Sequence, residues 1–115
     1  MSTTIYHNPR CSKSRATLEL LHDRKLDTNI VEYLDTPPSR EELERLLALL
    51  GLEPRQLMRT GESEYAELGL DDESLSRDAL IEAMVAHPKL IERPIVVHNG
   101  RAALGRPPEK VLEIL

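Results

Sequence analysis

The chain predicts an α/β fold with a helical insertion, and three observations carry that expectation. Two short segments rich in β-branched residues, near positions 3 and 29, flank one helical stretch. A Leu-rich block of helices follows, and an Asn99-Gly100 turn then joins two apolar segments near the end. At 115 residues the chain fits one domain. Its core must be aliphatic, because Leu abounds while Trp and Phe are absent.

Thr3 to His7 is a β-branched, aromatic strand that stops at Asn8-Pro9, where proline disfavours helix before it. From Cys11 to about Leu21 the apolar spacing fits a helix, with Ser12 or Asn8 as candidate cap. Asn29 to Tyr33 is the second strand, ended by Asp35-Thr36-Pro37-Pro38. Ser39-Arg-Glu-Glu42 is a capping box that opens a helix to Leu50, and Gly51 closes it. Pro54 to Met58, Ser63 to Leu68 and Ser76 to His87 read as three further helices. Ile95 to His98 and Arg101 to Leu104 flank the hairpin turn, and Pro107 starts a last helix to Leu115.

The net charge of −5 disfavours a nucleic-acid-binding role. Its distribution is uneven. Positions 1–18 carry Arg10, Lys13 and Arg15 without an acid, and positions 93–108 carry Arg93, Arg101 and Arg106 without an acid. Residues 62–82 are strongly acidic. A fold that joins the two basic ends builds a small anion site. No apolar run approaches the roughly 20 residues of a membrane span. One cysteine excludes an internal disulfide, and a free thiol suits the reducing cytosol, so a cytoplasmic protein is expected. His7, His22, His87 and His98 show no metal-ligand spacing, so no metal site is expected, and no Gly-rich phosphate loop is present.

Cys11 follows a strand and a turn and opens a helix, where backbone N–H groups and the helix dipole favour an anion. That position lowers a thiol pKa, and Arg10, Lys13, Arg15 and His7 add positive potential nearby. The same amides suit an oxyanion. Arg15 lies one turn on, on the face of Cys11, with a planar fork matched to tetrahedral oxyanions. Arg59, Arg93 and Arg106 read singly as surface charges, and spacing alone does not group them.

Four motifs carry a resemblance that spans the chain: Tyr6-His-Asn-Pro-Arg-Cys-Ser-Lys-Ser-Arg15, Tyr33-Leu-Asp-Thr-Pro-Pro38, Leu57-Met-Arg59, and Glu92-Arg-Pro-Ile-Val-Val97 followed by Gly105-Arg-Pro-Pro108. Together they resemble the glutaredoxin-linked arsenate reductase family. The resemblance implies a thioredoxin-like fold, with a mixed four-stranded sheet and a helical insertion, about residues 38–87, between the second and third strands. It implies Cys11 as nucleophile and Arg59, Arg93 and Arg106 as oxyanion ligands. His7, which helps keep the thiolate, stands with Asn8, Ser14, Arg15 and a cis Pro94 as supporting residues. Ser14 occupies the position where a Cys-X-X-Cys pair has its second thiol, so no intramolecular switch can form. The implied reaction is arsenate reduction with glutathione as co-substrate and glutaredoxin as partner, without a bound cofactor, nucleic acid or membrane. Two other readings stay open: a non-enzymatic module that binds a protein through the acidic block, and a thiol oxidoreductase acting on another substrate.

Overall fold

The computed structural model describes residues 3–115 and divides into two units. One comprises the chain up to Thr36 together with Arg93–Leu115, and the other is Pro37–Glu92.

The first unit holds β1 (Thr3–His7), α1 (Ser12–Asp23), β2 (Thr28–Glu32), β3 (Ile95–His98) and β4 (Arg101–Leu104). The sheet order is β2-β1-β3-β4. β1 runs parallel to β2 and antiparallel to β3, so the sheet is mixed and four-stranded as expected. The inner strands β1 and β3 are almost wholly buried, which is why Ile95-Val-Val97 reads as an unbroken apolar run rather than an alternation. Asn99 and Gly100 have φ of 52° and 74°, the left-handed pair that a tight hairpin demands. Ile5, Leu21, Val96, Val111 and Ile114 form the core, with Ile5 and Val96 opposite each other in the ladder.

Three local expectations need correction. β2 starts and ends one residue earlier than Asn29–Tyr33, and Tyr33 lies buried beyond the strand. The final helix, expected from Pro107 to Leu115, is of 3-10 type and spans Pro108–Ile114. Its three-residue period brings Val111 and Ile114 onto one face, against the core. Neither Ser12 nor Asn8 caps α1; Cys11 occupies the capping position, and Asn8 organises the preceding turn instead.

The second unit contains α2 (Arg40–Leu50), α3 (Pro54–Leu57), α4 (Ser63–Glu67) and α5 (Arg77–Ala86). Ser39 caps α2 by accepting the Glu42 N–H at 3.1 Å, and Gly51 ends it at φ 68°. Ser76 caps α5 in the same way through Ala79. α2 packs on α5, with Leu43, Leu46, Leu47, Leu80, Ile81 and Met84 buried. Arg40 bridges to Asp78 and Glu82, and Arg77 to Glu44. Among the described residues no helix is long and apolar enough to cross a membrane.

Gly105, just beyond β4, has a packing reason. A Cβ there would stand 2.5 Å from Thr17 Oγ1 on α1 and 2.7 Å from Pro94 Cγ, far inside van der Waals contact. The Gly105 N–H also donates to the Pro94 carbonyl at 3.0 Å. Gly105→Ala is expected to cost about 1–3 kcal/mol through overpacking. Urea unfolding followed by circular dichroism measures this, and an unchanged midpoint would show that α1 and Pro94 yield freely.

Candidate active site

At the carboxyl end of β1 the chain turns through Asn8, Pro9 and Arg10. The Cys11 N–H donates to the Asn8 carbonyl at 3.0 Å, and Asn8 Oδ1 accepts the Arg10 N–H at 3.0 Å. This turn delivers Cys11 to the N-cap of α1, where a Ser, Thr, Asp or Asn would ordinarily stand. No conventional side-chain cap bond closes the helix. The sulfur, a long and weak acceptor until ionised, faces the N–H groups of Ser14 and Lys13 in its place. Burial pushes the Cys11 thiol up, but the Ser14 N–H, the Arg93 side chain on the sulfur and the Lys13 N–H outweigh it. The thiol therefore titrates below its ordinary value.

His7, the last residue of β1, is buried and meets Ser14 Oγ through Nδ1 at 2.7 Å. Ser14 Oγ also accepts the Asn8 N–H at 3.1 Å. Burial lowers the His7 pKa; Glu32 opposes the shift and Arg15 adds to it. Burial therefore favours the neutral imidazole. With Nδ1 as acceptor, the Ser14 hydroxyl accepts the Asn8 N–H and donates to the ring.

Arg93 precedes Pro94 across a cis peptide bond, as the resemblance implies. The Arg106 side chain reaches back to donate Nη1–H to the Arg93 carbonyl at 3.0 Å. The structure thus brings Cys11, Arg93 and Arg106 into one chain of contacts within the first unit. Arg15 donates to the Pro9 carbonyl at 2.9 Å, so its fork braces the turn.

Residues 6–114 match the ArsC family. The chain belongs to the ArsC family. A Neisseria meningitidis protein described as arsenate reductase is 52% identical over 112 residues, covering 96% of each chain. The Escherichia coli protein YfgD is 58% identical over 112 residues, covering 96% of this chain and 94% of its own length. The solved structure of arsenate reductase from Vibrio cholerae covers 100% of this chain and 98% of its own, with 60% identity and a TM-score of 0.97. The mixed sheet of this ArsC-family chain is thus the thioredoxin-like one that the motifs imply.

Arg59 stands on the second unit. Its N–H donates to the Leu90 carbonyl at 2.7 Å, beside a bridge between Met58 and Ile91. Its guanidinium lies between two carboxylates, with Nε 3.3 Å from Glu62 and Nη1 3.6 Å from Glu92. Those partners were invisible in the sequence, although Glu62 is i+3 from Arg59. Also missed were the knot at Ser14 and a second cis peptide, Arg106-Pro107. The Gly105-Arg-Pro-Pro108 motif marked that last region without revealing its geometry.

The depressed Cys11 pKa makes stability depend on pH. The native state holds its thiol proton less tightly than the unfolded chain, so the thiolate's contribution is complete above the unfolded value. It is lost as pH falls through the lower native pKa. The stability difference between wild type and Cys11→Ser should therefore grow as pH rises from the native pKa to about 8.5. Urea midpoints across that interval measure it, and parallel curves would contradict the depressed pKa.

Proposed function

We propose that this ArsC-family chain reduces arsenate to arsenite in the cytoplasm, with Cys11 as nucleophile and glutathione and glutaredoxin as electron donors. The observation that supports this reading best is the half-buried Cys11 thiol, facing the first amides of α1 and the Arg93 side chain. A site that favours a thiolate also favours the tetrahedral anion it attacks. Arg59, Arg93 and Arg106 are the proposed ligands of that anion.

Reducing arsenic(V) to arsenic(III) takes two electrons, and this chain has a single thiol that it must recover. In the proposed sequence the Cys11 sulfur bonds arsenic as one water leaves, and the glutathione thiol then bonds arsenic as a second water leaves. Glutaredoxin thiolate next attacks the glutathione sulfur, forming a mixed disulfide and leaving the electron pair of the sulfur–arsenic bond on arsenic. Hydrolysis of the remaining bond releases arsenite and free Cys11. The sequence needs no bound cofactor.

Cys11→Ser should fold normally and abolish turnover. Replacing Arg59, Arg93 or Arg106 by Ala should each cost about ten- to a hundredfold in arsenate affinity or rate, the scale of one charge-assisted contact. Lys should rescue only in part, having the charge without the fork. Arg24→Ala and Arg77→Ala, on exposed positions, should do little. Arsenate turnover with glutathione and glutaredoxin at fixed ionic strength measures all five arginine positions. Equal losses at all of them would mean that the anion senses only a diffuse field.

A further inference from the structure

A cleft of about 310 Å³ is lined by the Asn8-Pro9-Arg10 turn, and it belongs wholly to the first unit. It sits at the carboxyl ends of the parallel strands β1 and β2, where α/β sheets open a crevice for ligands. Its volume falls at the lower end of small-molecule sites, about 300–1,000 Å³. The walls are fixed on both sides. Asn8 holds the turn, and the amides of Asp35 and Thr36 both donate to the Glu32 carbonyl, at 3.0 and 2.9 Å.

The lining combines both signs of charge with an apolar surface. Glu32 and Asp35 supply two carboxylates, Arg10 supplies a guanidinium, and Leu34 is an exposed apolar side chain. Buried His7 also lines it. Among the described residues neither carboxylate forms an ion pair, so both remain available to a cation. A plain anion or a plain cation would satisfy one side of this cleft and offend the other. An α-amino-acid group, which carries an ammonium and a carboxylate on one carbon, satisfies both.

We infer that the cleft binds the zwitterionic amino-acid end of the thiol co-substrate, with Glu32 and Asp35 taking the ammonium and Arg10 the carboxylate. This assignment rests on the thiol-dependent reaction proposed above. It makes the co-substrate's charged end, rather than its sulfur alone, the basis of selection, and it places the carboxylate of that end at Arg10, the residue before Cys11.

The test uses S-methylglutathione, which cannot react at arsenic, and the full chain. Titration followed by amide NMR should shift Arg10, Glu32, Leu34 and Asp35 saturably. Acetylating the ligand's amine should weaken binding about fivefold or more, the upper range of an exposed charge pair. In turnover, the double variant Glu32→Gln/Asp35→Asn should raise the KM for glutathione by at least about fivefold, while turnover driven by mercaptoethanol stays unchanged. Shifts confined to the β3–β4 hairpin, or equal KM changes with both thiols, would overturn the assignment. If wild type reduces arsenate with neither thiol while S-methylglutathione still titrates the cleft, the arsenate reading fails and the cleft stands. If glutathione drives reduction but the cleft signals do not move, the cleft assignment fails alone.

Discussion

Ser14 Oγ, fully buried in the first turn of α1, accepts the Asn8 N–H and meets His7 Nδ1. These two bonds tie the end of the central strand β1 to the start of the helix, and the Asn8 carbonyl then receives the Cys11 N–H. The thiol is therefore held at the N-cap by a closed set of short-range contacts. A buried hydroxyl left without partners would cost about 1–3 kcal/mol, so the knot is a strong constraint on the turn. The position of Cys11 relative to the free amides of α1 follows from it. His7, whose pKa burial lowers, is joined to it through Ser14.

The electrostatic balance at the sulfur is a competition. Partial burial opposes ionisation, and it is the largest single influence on Cys11. Two backbone amides and the Arg93 guanidinium together overcome it. Amides at a helix start are fixed dipoles that need no reorganisation when charge develops, so they can serve a thiolate and an incoming oxyanion in turn. Arg93 is in turn positioned by its neighbours: Arg106 binds its carbonyl, and Gly105 allows the following segment to approach α1 and Pro94. Local arrangement prevails over the protein's overall acidity because only the nearest groups act through partly buried, weakly screened space.

Much of this was legible in the sequence because it depends on local chemistry. Asn99-Gly100 specifies its own turn, Ser39 its own cap, and Asn8-Pro9 the end of β1. The placement of Cys11 at a helix start followed from the same rules. What the sequence concealed are contacts that depend on three-dimensional approach. Ser14 looks like any serine in a first helical turn, and nothing nearby announces its bond to a histidine seven residues back. Gly105 reads as loop punctuation until Thr17 and Pro94 are seen against it. Arg59 carries two carboxylate neighbours, one of them 33 positions away along the chain. The closing helix was expected from Pro107, but its 3-10 type was not legible, because Val111 and Ile114 suit an α-helical face almost as well.

The site depends on a thiol activated by fixed dipoles and one neighbouring guanidinium. Ultraviolet thiolate absorbance of Cys11 against pH, recorded for wild type and for Arg93→Ala, tests that claim most directly. Wild type should titrate below the ordinary thiol value of about 8.5, and the variant should move back toward it. A wild-type value at or above the ordinary one, unchanged in the variant, would contradict the account.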